Sequence, residues 1–68
     1  MRYAIVIERA NGNLSGYVPD LPGCVATGDT VVEVEQNLRE AIRFHLDGMR
    51  EDGLPIPAPA TTCHYVEA

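Results

Sequence analysis

Four carboxylates in this sequence are candidates for holding catalytic metal ions. A two-metal hydrolytic site needs clustered carboxylates that hold two ions about 4 Å apart. Glu8 lies near the end of a predicted first strand and Asp20 just past a second, at opposite ends of a hairpin, while Glu40 and Asp47 project from the solvent side of a predicted helix. We therefore expect no metal site and no cofactor, and interpret Asp20 as initiating a proline-flanked turn by accepting from nearby backbone amides.

Two histidines and a cysteine are the candidates for acid–base or nucleophilic chemistry. His45 could be a general base, but it lies on the apolar stripe of the predicted helix with no nucleophile placed beside it. We interpret it as a mostly buried neutral imidazole with one ring hydrogen bond, and assign no role to His64. Cys24 follows a turn that offers neither a base nor a cause for a lowered pKa, so a small buried hydrophobe is the simpler interpretation. The sequence predicts no catalytic residue and no enzyme.

The elements that position these residues begin with a hairpin. Residues 2–9 predict a strand whose two faces are both partly apolar, which favours a central strand. Its alternate residues are Tyr3, Ile5 and Ile7 on one face and Ala4, Val6 and Glu8 on the other. Asn11-Gly12 then predicts a type I′ turn. Residues 14–18 return as an antiparallel strand that Pro19 and Pro22 end, and residues 24–27 predict a third strand at an edge.

A long amphipathic helix follows. Thr30 and Glu33 fit a capping box at its start, and Gly53 with Pro55 marks its end. One apolar stripe runs along it at spacings of three and four, formed by Val31, Val34, Leu38, Ala41, Ile42, His45 and Met49. Two ion pairs are expected on the opposite face, Glu35–Arg39 and Arg43–Asp47.

A proline-punctuated connector at residues 54–59 leads to residues 61–66, which are rich in β-formers and predict a last strand. The expected fold is therefore α+β, a single domain over residues 1–68 in which one helix packs on one face of a four-stranded mixed sheet in the order β-β-β-α-β. The other sheet face still carries apolar residues and should meet another copy or a partner.

Composition restricts the kinds of partner. The 68-residue chain has a formal net charge of −5 and all its basic residues are arginines. This charge disfavours direct nucleic-acid binding. The negative net charge either favours association with a basic partner or has the simpler role of keeping the protein soluble. The start of the chain lacks the pattern of a secretory signal, and no apolar run approaches the ~20 residues of a membrane span, so we expect a cytoplasmic protein with Cys24 and Cys63 reduced.

The segments YVPDLPGCVATGDT (17–30), LREAIRFHLDGMREDG (38–53) and LPIPAP (54–59) together resemble the HicB antitoxins. The shared pattern is a strand ending in tyrosine, a proline-glycine-cysteine turn, a glycine-aspartate-threonine helix start and a glycine-x-proline-isoleucine-proline exit. The resemblance implies a partial RNase H-like fold and an antitoxin of a type II toxin–antitoxin system. It would bind and neutralise a HicA-type toxin, a small basic ribonuclease that cleaves messenger RNA, and would form dimers or tetramers.

One departure from the family is visible. HicB antitoxins typically continue into a DNA-binding segment, whereas this sequence stops at Ala68, so we expect no operator binding. The alternative function is an orphan oligomeric HicB-like domain with a regulatory or small-ligand-binding role and no active toxin partner.

Partner contacts are expected on the helix at Arg39, Arg43 and Phe44, because arginine and aromatic residues are enriched in interface hot spots. For Phe44 the sequence leaves two interpretations, satellite core or partner contact, and favours core. Gly48 lowers the stability of the helix by about 1 kcal/mol relative to alanine. A glycine is nevertheless acceptable at this position if the helix closely approaches the sheet or a neighbouring chain there.

Overall fold

A computed structural model of the chain describes residues 1–68. It contains three strands and one helix, β1 (Val6–Arg9), β2 (Leu14–Tyr17), β3 (Val25–Gly28) and α1 (Val31–Glu51). The sheet is antiparallel throughout, in the order β1-β2-β3, and α1 packs on one face of it, mainly against β3 and β2. The α+β class with one helix on one face is confirmed. No helix is both long and apolar enough to cross a bilayer.

The strand order corrects one prediction. β1 is an edge strand and β2 is the central one, whereas the apolar faces of residues 2–9 favoured a central position for the first strand. The reason is that apolar residues on both faces of a strand depend on what covers the sheet, and not on how many strands flank it. β3, as predicted, is an edge strand.

The hairpin lies where Asn-Gly predicts it, but its turn type differs. Arg9 pairs with Leu14, and the Ala10 amide donates to the Asn13 carbonyl at 2.9 Å. Only Gly12 has a positive φ, at 79°, whereas a type I′ turn needs positive φ at both central residues. Glycine alone takes the left-handed position, so the predicted type I′ turn is wrong.

Hydrogen bonds at both ends of α1 fix its length, at the positions that the sequence predicted. At its start Thr30 Oγ1 accepts from the Glu33 amide at 3.1 Å, and Glu33 Oε2 accepts from the Asp29 amide at 2.9 Å, one residue before the cap. At its end Gly53 has φ 70°, and the Gly53 and Leu54 amides donate to the Arg50 and Met49 carbonyls at 3.1 and 2.9 Å. This is a Schellman motif, in which a left-handed glycine ends the helix.

The core lies between the helix and one sheet face. Its buried side chains are those of Val18, Leu21, Cys24, Val34, Leu38 and Leu46. Of the predicted stripe, Val34 and Leu38 are buried, Ala41, Ile42, His45 and Met49 are half-buried, and Val31 is exposed. Leu46 belongs to the core although the predicted stripe omitted it, because the helix is rotated somewhat toward that side.

Gly16 in the middle of β2 sets the distance between the two layers. A Cβ at this position would lie 2.7 Å from Val34 Cγ1 and 2.8 Å from Leu38 Cδ1. Both of those side chains are buried, and their packing against the glycine backbone leaves no room for a methyl group. The close approach of α1 to the sheet therefore depends on the missing side chain.

The predicted fourth strand is absent, which corrects the four-stranded mixed sheet to a three-stranded antiparallel one. We call residues 61–68 the tail; all of them are exposed and none lies in a strand. Two anchors hold the preceding chain across the end of the sheet. Tyr3 Oη donates to the Pro57 carbonyl at 2.5 Å, and Asp20, just beyond the central strand, accepts from Ala60 and Thr61. The tail therefore leaves the sheet from its end and is not laid along the outer edge of β1.

Candidate binding surfaces

The carboxylates named from the sequence do not converge. Nowhere in the chain do three His, Cys, Asp or Glu side chains come together as metal ligands. Glu8, Glu40 and Asp47 are exposed. Asp20 is a structural carboxylate that ties together two distant parts of the chain.

Asp20 was expected to accept from amides close to it in the sequence, and this is wrong. Its Oδ2 accepts from the Ala60 and Thr61 amides at 3.0 and 3.1 Å, and its Oδ1 accepts from the Thr61 hydroxyl at 2.8 Å. The backbone amide of Ala60, then the Thr61 hydroxyl and amide, lower the pKa of Asp20 because these bonds favour the ionised carboxylate. The partners are missed from sequence because they lie 40 and 41 residues away.

The nucleophile and base candidates are not brought together either. Cys24 is 3% exposed, and burial raises the pKa of its thiol, which suits the predicted small hydrophobe. His45 is half-buried on α1, and its ring makes none of the chain's hydrogen bonds, so the expected ring bond is absent. His64 and the thiol of Cys63 are exposed in the tail, and both cysteines are free.

The three helix residues predicted to contact a partner divide between two flanks of α1. Phe44 is 83% exposed, so the favoured core interpretation is wrong. Because successive helix residues are about 100° apart, Arg39 and Arg43 share one flank and Phe44 lies on the other. Asn37 marks that second flank as the β3 side, since its amide donates to the Thr27 carbonyl at 2.8 Å.

An open groove runs along the flank of Arg39 and Arg43. It separates α1 from the N-terminal segment that leads into β1 and has a volume of about 810 Å³. Four of the chain's five arginines line it, namely Arg2, Arg39, Arg43 and Arg50, with Glu35 as the one carboxylate. Its apolar lining includes Ile5, Ile42 and Leu46. We call this feature the arginine groove.

The arginines of the groove are poorly neutralised. The chain's single ion pair joins Arg50 to Asp47 at 3.2 Å, and the predicted pairs Glu35–Arg39 and Arg43–Asp47 do not form. Arg2, Arg39 and Arg43 therefore have no carboxylate within ion-pair distance in a chain of ten acidic residues. The sequence singled out two of these arginines but missed their convergence with Arg2, which only the tertiary fold produces.

The sheet face opposite the helix carries a second surface. Val6, Tyr17 and Val25 are register partners across the three strands, so their side chains form one row on that face. Tyr17 is 41% exposed and Val25 63% exposed. The next row along the same face is polar, formed by Glu8, Ser15 and Thr27. We call these six residues the open face.

The flank of α1 that carries Phe44 has no neighbouring atoms from the rest of the chain at Gly48. A Cβ built there would meet nothing within 4 Å. The close approach to the sheet that the sequence offered as one explanation is therefore not found, and the cost of this glycine is not offset by packing inside the chain.

Comparison with known proteins identifies relatives along nearly the whole chain. A family described as HicB_like antitoxin of bacterial toxin-antitoxin system matches residues 3–68. A 14.9 kDa protein from the rep-hol intergenic region of Haemophilus phage HP1 is 47% identical over 66 residues, covering 97% of this chain. A UPF0150 protein of Thermoplasma acidophilum is 34% identical over 84% of each chain.

Similarity extends to a solved structure of a toxin–antitoxin complex. A chain of the HicA3 and HicB3 toxin-antitoxin complex superposes with a TM-score of 0.75 and 32% identity, covering 88% of this chain and 70% of that one. The present chain spans only 50% of the phage protein's length.

Proposed function

The chain belongs to the HicB-like antitoxin family, and from this premise we propose that it binds and neutralises a HicA-type toxin that cleaves messenger RNA. As a member of an antitoxin family it is a regulatory protein and not an enzyme, as the sequence predicted. The observation that carries the proposal is the likeness to a chain of the HicA3 and HicB3 complex. Self-association and a cytoplasmic location belong to the same proposal.

The open face is our proposed toxin contact. Val6, Tyr17 and Val25 give it an apolar row in which Tyr17 and Val25 are exposed and Val6 is half-buried, and Glu8 adds an exposed carboxylate beside it. Exposed apolar residues grouped in this way favour a protein interface. The net charge of −5 complements the small basic ribonuclease that the family resemblance implies, and complementary fields speed association.

Phe44 is a second proposed contact, because an aromatic ring exposed on a helix flank is typical of an interface hot spot. Arg39 and Arg43 remain proposed partner contacts, but they line a basic groove that a basic toxin would avoid. We therefore assign them to a different partner below.

The test is co-expression with a HicA-type toxin from the same genome, read out by pull-down and by rescue of growth. We expect a stable complex and full rescue. Val25→Ser should weaken both, whereas Val32→Ser on α1 should not, although Val25 and Val32 are each 63% exposed. Failure to bind any such toxin would refute the function, and equal binding by the two variants would refute the open face as the contact.

A further inference from the structure

We propose that the tail of one copy adds as a strand along the outer edge of β1 in a second copy and closes over its arginine groove. This contact does not depend on toxin binding, and it uses a different surface from the open face. It joins two features that the single chain leaves unused, a β-forming segment without a partner and a sheet edge without a neighbour.

The tail has the properties of a donated strand. Residues 62–68 make no hydrogen bond within the chain, although Thr, Tyr and Val favour strands. Tyr65 and Val66 are 96% and 90% exposed, the highest values among the large apolar residues. The radius of gyration is 13.0 Å, against about 11 Å expected for a compact domain of this length. The chain therefore extends beyond its core.

The outer edge of β1 is the matching acceptor. β1 pairs only with β2, so its other edge has backbone groups without strand partners. The arginine groove lies on the helix side of the segment leading into this edge, because α1 packs mainly against β2 and β3 and stands away from β1. A strand beside β1 would satisfy the edge and cover the groove at once, as in peptide recognition by β-augmentation.

The alternation of the tail fits the lining of the groove in one orientation. Successive side chains of a strand point to opposite faces, so Cys63, Tyr65 and Glu67 share one face. With that face toward the helix, the thiol and ring would lie over Ile42 and Leu46, and the Glu67 carboxylate would meet the arginines. The opposite face, with Thr62, His64 and Val66, would bring no carboxylate to the groove.

A second copy is the occupant that the charges and the anchors favour. Tyr3 and Asp20 hold residues 57, 60 and 61 across the end of the sheet, so that the tail departs from its own groove. A chain with net charge −5 is itself complementary to a basic groove. In a two-fold dimer each copy would donate one strand and receive one, which closes the assembly. Nucleic acid is disfavoured by the same negative charge.

The experiment is a charge-swap cycle on the full chain, with self-association measured by sedimentation equilibrium. Arg43→Glu and Glu67→Arg should each weaken dimerisation by about tenfold or more, and the double variant should recover most of it. Glu40→Arg is the matched control for Glu67→Arg, since it makes the same charge change at an exposed helix residue outside the groove, and it should dimerise normally.

A disulfide trap tests the geometry independently. Under mild oxidation Arg39→Cys should cross-link to Cys63 between copies, and Glu40→Cys, on the solvent side of the same helix and outside the groove, should not. A monomer at all concentrations, or an intramolecular cross-link, would overturn the proposal, as would equal dimerisation by all the charge variants. Loss of toxin binding with this dimer intact would instead refute only the proposed function.

Discussion

The two faces of the sheet are built from the same three strands and differ in almost every other respect. On the helix side Gly16 and Val18 are buried, and Leu38 packs so closely that the glycine cannot carry a side chain. On the open face Tyr17, which lies between those two residues in the sequence, is 41% exposed, and Val25 is 63% exposed. Burial of a leucine or valine side chain contributes about 1.5–3 kcal/mol to folding, and an exposed one contributes little. One face therefore supplies stability, while the apolar character of the other has no folding role and is better explained by a partner.

The largest effect expected from this comparison is on the helix side. Leu38→Ala should lower the free energy of unfolding by about 2–5 kcal/mol, because it leaves a cavity at a side chain that is 1% exposed. Urea denaturation followed by circular dichroism measures the change. Val32→Ala is the control on the exposed side of the same helix and should stay within about 0.5 kcal/mol of the parent. Similar losses in both variants would mean that the covered face is not the core.

Gly16→Ala should cost about 1–3 kcal/mol through overpacking, since its Cβ would lie within 3 Å of two buried side chains. The same denaturation experiment measures it. Ser15→Ala, one residue earlier and on the open face, should change stability much less. If Gly16→Ala were neutral, the helix would have to shift from the sheet at little cost.

Gly48→Ala should raise the free energy of unfolding by about 1 kcal/mol, because alanine is the better helix former and the site has open space around it. The measurement sharpens the contrast between a glycine required by packing and one that is not. A loss of stability in the isolated protein would contradict the open surroundings. A stabilised variant that no longer binds the toxin would indicate that a partner approaches the helix there.

On the open face, Val25→Ser should change stability by less than about 1 kcal/mol, which is the span of strand propensities. Its toxin binding should nevertheless weaken, as proposed above. A large loss of stability in Val25→Ser would show that the open face also contributes to folding, and would contradict the contrast between the two faces.

The smallest effect concerns the end of the sheet. Hydrogen bonds from Ala60 and Thr61 lower the pKa of Asp20 below its ordinary value of 3.8. The stabilisation is therefore present above that value and is lost as the pH falls through the lowered folded pKa. The protection factors of the Ala60 and Thr61 amides, which correct for the intrinsic pH dependence of exchange, should fall in this acid range in the parent and be low at every pH in Asp20→Asn. Protection that persisted in Asp20→Asn would show that other groups hold the connector.

Local signals predicted the local structure well. Three features lie where the sequence indicates: the hairpin at Asn11-Gly12, the helix N-cap at Thr30 and the helix end at Gly53. Each depends on hydrogen bonds or φ values within a few residues. The predicted type of the hairpin turn was wrong, because a type I′ turn needs a positive φ at both central residues and only Gly12 has one.

Features set by long-range packing were not predictable from the sequence. The tail has strand propensity, yet the anchors at Tyr3 and Asp20 decide where it goes. Phe44 was favoured as core and is exposed, whereas Leu46, which the predicted stripe omitted, is buried, because the orientation of α1 about its own axis decides which of its two flanks meets the sheet. Spacing alone indicated Arg39 and Arg43 as surface residues, but the groove they form with Arg2 needs the N-terminal segment beside the helix.

Strand pairing only between sequence neighbours has a consequence for the order in which the parts of the molecule form. β1 pairs with β2, β2 with β3, and α1 follows at once, so each element meets its partner within about one hairpin of chain. Such local contacts give a low contact order and fast folding. The sheet, its open face and the helix can therefore fold within one chain, whereas exchange of tails needs an encounter between two copies and is slower at low concentration. Formation of the proposed recognition surface and self-assembly would then be separated in time.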